Sequence, residues 1–190
     1  MKQITIILMA LISGSAFSKT ACNGQTNVEL TACAQANYKS ADAILNKTYS
    51  DTLGKINSTD KQNLISAQRA WVAYKDKYCN SAFDATSPGA EASIDKWSCL
   101  TSVTESRTSE IRYISSSIGM DEFRRSLGVM ANLYEGGDTA KVIMKLERNT
   151  PDGSNPGWLK YVSLNCKITA VKLQEDRETC AARLNFYKNW

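Results

Sequence analysis

The chain is predicted to be all-α, a disulfide-stapled bundle of long antiparallel helices, with at most a small amount of strand after residue 158. Three observations point there: two long single-stripe helical periodicities, six cysteines behind an export signal, and a Trp–Tyr–Cys motif that occurs twice.

Export comes first because it sets the redox compartment. Lys2 supplies a positive start, Ile4 to Ile12 is almost unbroken apolar sequence, and Ala16-Phe17-Ser18 offers small residues at −3 and −1. Residues 1–18 therefore read as a signal peptide with Lys19 as the mature start. The apolar run is shorter than the roughly 20 residues that a membrane span needs. Lys19-Thr20-Ala21 lacks the apolar residue expected before a lipid-modified Cys22. The expectation is a periplasmic or secreted protein with no membrane anchor after cleavage.

The net charge is +4, from 23 basic and 19 acidic residues, and these are interspersed without a basic run. That pattern carries no nucleic-acid footprint. Cys22, Cys33, Cys79, Cys99, Cys166 and Cys180 form an even set, which reads as three disulfides in an oxidising compartment. A zinc site would want a close cysteine pair or histidine, and the chain has no histidine. Without histidine the commonest general base is gone, along with the centre of a Ser-His-Asp site. Only a carboxylate-pair mechanism survives that test. No metal, no cofactor and no enzymatic activity are expected.

The first helix spans about 27–56. Thr26 and Glu29 have capping-box spacing, and Leu30, Ala34, Tyr38, Ala41, Leu45, Tyr49, Leu53 and Ile56 recur in steps of three and four. Asn57-Ser58-Thr59-Asp60 breaks the stripe and offers caps. Leu64, Ala67, Trp71, Tyr74 and Tyr78 then mark a second helix over 60–79, antiparallel to the first across a short connection. Residues 80–92 read as a loop broken by Ser87-Pro88-Gly89. A third helix over 91–117 buries Ile94, Trp97, Leu100, Ile111, Ile114 and Ile118, with a polar middle. Asp121 caps a fourth helix carrying Phe123, Leu127, Met130 and Tyr134, stopped by Gly136-Gly137. A short fifth helix covers 138–148, and residues 150–157 form a linker or exposed loop. Residues 158–173 fit a strand by β-branched content and a helix by the spacing of Trp158, Tyr161 and Asn165; 175–187 reads as helix.

A partial repeat bears on that choice. Trp71-x-x-Tyr74-x-x-x-x-Cys79 recurs as Trp158-x-x-Tyr161-x-x-x-x-Cys166, each followed by one more cysteine. If the second copy is self-contained, Cys166 pairs with Cys180. The same logic gives Cys79–Cys99 and leaves Cys22–Cys33, each bridge worth roughly 3 kcal/mol by loop entropy. The competing pattern is Cys33–Cys79 with Cys22–Cys99. Domain expectations follow: 19–118 as one helical domain and 119–190 as a helical extension holding the second copy.

Four blocks together resemble a known family. Cys22-x10-Cys33, Ala41-Asp42-x-x-Leu45-Asn46-x-x-Tyr49, Leu64-x-x-x-Gln68-Arg69-x-Trp71-x-x-Tyr74-x-Asp76-x-x-Cys79, and Cys99-x4-Thr104-x-x-Arg107 resemble the LprI-type lysozyme-inhibitor family, over about 22–114. The resemblance implies an exported helical module whose namesake activity is inhibition of lysozyme. Asp42, Asn46, Gln68, Arg69, Trp71, Tyr74, Asp76 and Arg107 are the motif residues. They are read first as a polar network fixing helix register, with Arg107 reaching Asp42, and second as a ligand-contact patch. Partner contacts are assigned to the 80–92 loop through Phe83, Asp84 and Glu91, and to the 150–157 loop, because loops on rigid scaffolds carry binding.

The expected function is a periplasmic inhibitor or immunity protein whose partner is a lytic enzyme, such as lysozyme or an antibacterial effector. Common lysozymes are strongly basic, so a slightly positive inhibitor needs a local acidic patch. The alternative is an envelope adaptor without an enzyme target; a two-carboxylate glycosidase ranks last. The N-x-[ST] matches at Asn46 and Asn57 fit helix and capping roles.

Overall fold

The computed structural model describes residues 20–148 and 155–188. The expected signal peptide and residues 150–154 of the expected loop lie outside the described residues. Among the described residues there are seven helices: α1 (Asn27–Lys55), α2 (Ser58–Thr86), α3 (Ala92–Ser116), α4 (Asp121–Tyr134), α5 (Thr139–Arg148), α6 (Pro156–Leu173) and α7 (Arg177–Lys188). Three disulfides staple them.

Local chemistry explains the boundaries. At the start of α1, Glu29 N donates to Thr26 Oγ1 at 3.2 Å while Thr26 N donates to the Glu29 carboxylate at 3.1 Å. Two otherwise orphaned N–H groups are satisfied reciprocally. Asn155 caps α6 by accepting from Gly157 N and Trp158 N, and Pro156 occupies the first turn, where its missing N–H costs nothing. Residues 158–173 are therefore helix, and no strand exists among the described residues.

Several expectations need correction. Residues 80–92 are not a loop: α2 continues for two more turns, with half-buried Ala82 and Phe83 extending the face of Cys79. The helix stops at Ser87, which is extended (φ −72°, ψ 138°), as the residue before a proline prefers. The true connection is residues 87–91. Ile118 and Tyr134 are each 75% exposed, because both lie where a helix has just ended or is ending and the chain turns away from the core. Asp121 is the first residue of α4, not its cap; Met120 is the cap.

The packing partner of α1 is also different. α1 lies closely along α3, while α2 packs between α3 and α6. Small buried residues on the facing helices, Ala34, Ala41 and Thr52 on α1 and Thr101, Thr104 and Thr108 on α3, permit that close approach. α1 still reaches α2 through long side chains: Lys75 Nζ donates to Tyr38 Oη at 3.0 Å.

The bridges are Cys22–Cys33, Cys79–Cys99 and Cys166–Cys180, each pairing neighbours in sequence. The main apolar core takes Leu45 from α1, Trp71 and Tyr74 from α2, Ile111 from α3, Trp158 and Tyr161 from α6, and Leu184 from α7. It thus runs without a break across residue 118. A second cluster, Phe123 with Phe186 and Ala182, seats the α4–α5 hairpin on α7.

Candidate functional site

The two copies of the Trp–Tyr–Cys motif face one space. Helical spacing puts Trp71 and Tyr74 one turn apart on α2, and Trp158 and Tyr161 one turn apart on α6. Because α2 packs on α6, the aromatics converge, with the Tyr74 and Trp158 rings 4.9 Å apart and Trp158 and Tyr161 5.3 Å apart. Trp158 Nε1 donates to Asn185 Oδ1 at 2.8 Å, which fixes the indole against α7.

Beneath the aromatics lies a buried polar chain. Arg107, 1% exposed, donates from Nε to Gln68 Oε1 at 2.8 Å, and from Nη1 to Tyr161 Oη at 3.0 Å and Asn165 Oδ1 at 2.7 Å. Asn165 Nδ2 donates to Glu110 at 2.6 Å. Arg183 then bonds Glu110 and, at 2.8 Å, Glu175. Four helices are joined by these contacts, and nearly every buried charge has its partner. Burial alone would raise the Glu110 carboxyl; the Arg183 guanidinium, helped by the Asn165 bond and the Arg107 charge, outweighs burial and holds it below the ordinary 4.5. Burial pushes the Tyr161 hydroxyl up to about 12, so it stays a neutral acceptor for Arg107.

One donor in this chain is left over. Arg107 Nη2 is buried with no hydrogen-bond partner. The Arg107 side chain also lines a cavity of ≈ 50 Å³ between α2, α3, α6 and α7, walled by Trp71, Tyr74, Trp158 and Tyr161. The cavity adjoins an open groove of ≈ 690 Å³ along the exposed face of α3 and residues 118–122; Ser102, Ser106, Met120 and Tyr187 line both. At the cavity, Lys188 Nζ sits 4.8 Å from the Trp158 ring centroid.

The motif residues divide into two groups. Gln68, Trp71, Tyr74 and Arg107 come together here. Arg107 does not reach Asp42: its helix face turns toward α2 and α6, where three oxygens accept from it. Asp42 instead accepts from Asn46 Nδ2 at 2.9 Å on the surface of α1. Arg69 is exposed, and Asp76 pairs with Lys75 at 3.0 Å. Phe83 is half-buried with Lys96 Nζ 5.8 Å from its ring, while Asp84 and Glu91 are exposed near the α2–α3 connection. Glu110, Asn165, Glu175 and Arg183 were missed as network members. A signal for Arg107 was present: Leu100, Thr104, Arg107, Ile111 and Ile114 form one stripe in steps of four and three, with a guanidinium at a core position.

The family model for the lysozyme inhibitor LprI matches residues 18–111, the segment that supplies α1, α2 and most of α3. An uncharacterised protein of Rhizobium meliloti (strain 1021) is 33% identical over 106 residues, which are 48% of this chain and 76% of that protein. No solved structure matches. The α6 motif copy and α7 lie beyond the matched segment yet complete its core. With four sequence blocks, three helices and the matched segment all in agreement, the chain belongs to the lysozyme inhibitor LprI family.

Proposed function

We propose that this protein is an exported inhibitor that blocks a cell-wall-lytic enzyme by occluding it, with lysozyme as the first target, and that it acts by binding rather than by catalysis. The observation carrying this is the lysozyme-inhibitor family match over residues 18–111, a segment pinned at both ends by Cys22–Cys33 and Cys79–Cys99. A cross-linked helical unit loses little conformational entropy on association, which favours a tight, pre-organised inhibitor.

Phe83, Asp84 and Glu91 are the proposed contacts. The Cys79–Cys99 bridge holds the α2 and α3 ends together around them, and the exposed Asp84 and Glu91 carboxylates suit a basic enzyme. The net charge of +4 works against a strongly basic target and favours a neutral or acidic lytic enzyme, which is the second candidate within the same class.

The test is lysis of a peptidoglycan suspension by a panel of lysozymes and peptidoglycan amidases with increasing inhibitor. Activity of at least one enzyme should fall to near zero at equimolar protein, and the double variant Asp84→Lys/Glu91→Lys should weaken inhibition of a basic enzyme about tenfold or more. Full lytic activity across the panel at large molar excess would contradict the proposal. Stable capture of an envelope component in that case would favour an adaptor role.

A further inference from the structure

The buried guanidinium in the cavity wall has an unusual set of partners. Gln68, Tyr161 and Asn165 are all neutral acceptors, whereas the neighbouring carboxylates of Glu110 and Glu175 are bonded to Arg183. Arg107 therefore holds its charge inside the protein with no carboxylate bonded to it, the Glu110 charge one turn on acting only through space, and its Nη2 is buried unpaired in a side chain that forms part of the cavity wall. A buried, unsatisfied donor on a charged group is costly, and native proteins rarely leave one without reason.

The cavity wall is mixed: Tyr74, Ser102, Ser106 and Glu110 bring polar atoms, while Trp71, Val103, Trp158 and Leu184 are apolar. Water, which needs two to four polar partners, answers only the polar part. A carboxylate-terminated group answers both, since it accepts charge-assisted bonds from Arg through one edge and carries carbon on the other. At roughly 10–15 Å³ per water-sized probe, the ≈ 50 Å³ cavity has space for a carboxylate and one or two carbon atoms. Anything longer extends past Ser102 and Ser106 into the α3 groove. The Lys188 ammonium, over Trp158 and Tyr74, adds positive potential on the same side.

We propose that the cavity between α2, α3, α6 and α7 is a binding site for a carboxylate-terminated ligand, seated on the Arg107 guanidinium with its apolar end between Trp71 and Trp158 and the remainder in the α3 groove. The carboxylate belongs either to a free organic acid or to the C-terminus of a peptide. The site is separate from the Asp84–Glu91 end assigned to the lytic enzyme, so each stands or falls alone.

The full chain is titrated, by calorimetry and by tryptophan emission, with propionate, benzoate, acetyl-alanyl-alanine and the C-terminal amide of that dipeptide. Saturable binding is expected for the acids, with the amide about tenfold weaker or absent. Binding of the dipeptide acid but not the free acids identifies a peptide terminus, and the reverse identifies an organic acid. Arg107→Gln should abolish binding. Because that variant removes three buried bonds and can unfold, Ser106→Phe serves as the second test: it fills the cavity mouth from a half-buried position outside the polar chain, and should weaken binding about tenfold or more while leaving the circular dichroism unchanged. No saturable signal from any acid, equal affinity for the amide, or unaltered binding in folded Ser106→Phe would overturn the proposal.

Discussion

The two copies of Trp-x-x-Tyr-x-x-x-x-Cys share a helical register and a disulfide, and they differ in what their neighbours do. In α2 the residue after the tyrosine is Lys75, which sends its ammonium to Tyr38 Oη and the exposed Asp76. In α6 the same position is Val162, packed in the main core. Four residues after the tyrosine, α2 carries Tyr78, partly buried against that core, whereas α6 carries Asn165, which is 0% exposed and joins Arg107 to Glu110. One motif therefore makes an aromatic wall twice. The α2 copy looks outward to α1 through a polar side chain, and the α6 copy closes over a charged centre.

The contrast can be pushed hardest at the charged centre. Arg183→Leu leaves Glu110 buried without its cation and should cost about 3–5 kcal/mol in denaturant unfolding. A cost under about 1 kcal/mol would mean that the α6–α7 side is not built around that pair. Removing either repeat disulfide by double Cys→Ala replacement should cost about 3 kcal/mol. The Cys79–Cys99 and Cys166–Cys180 losses should agree closely, because sequence separations of 20 and 14 differ by only about 0.3 kcal/mol in loop entropy. Asn165→Leu should destabilise by about 2 kcal/mol, since it removes an acceptor from Arg107 and a donor from Glu110.

A pH series sharpens the same comparison. The folded Glu110 carboxyl ionises below its ordinary 4.5, so its stabilisation is complete above that value and is lost as pH falls through the lower, folded value. Unfolding free energy should therefore drop on acidification below about pH 4.5, and Glu110→Gln should flatten that limb. Lys75→Met, the counterpart facing α1, should cost about 1–2 kcal/mol, because its aliphatic stem is replaced in kind and its ion pair reaches an exposed carboxylate, while its bond to Tyr38 Oη is lost.

Much of this frame was legible from the sequence. The Thr26–Glu29 capping box and one unbroken stripe mark α1, and Gly136-Gly137 ends α4 with two positive-φ residues. The motif repeat favoured helix for 158–166, like its counterpart in α2, and did not show that the two copies meet. What escaped was whatever depends on distant partners. Asn80-Ser81 looks like a break in isolation, yet Ala82 and Phe83 have a surface to cover, so helix persists to Thr86. Arg107 sits on a stripe with Ile111 and Ile114, but a polar stripe position does not say which helix it meets. Its bonds run to residues as many as 58 positions away, a separation at which local periodicity carries no information. The close α1–α3 approach was hidden for a similar reason: alanines and threonines mark a close contact without naming its partner.

The central structural claim is that the second motif copy is part of the core of the family-matched bundle and not an appended module. Native-state hydrogen exchange tests it directly. Amides near Tyr74 in α2 and near Tyr161 in α6 should open with the same free energy, equal to that of global unfolding. Exchange of the α6 amides through a distinctly cheaper opening, with α2 still protected, would contradict it.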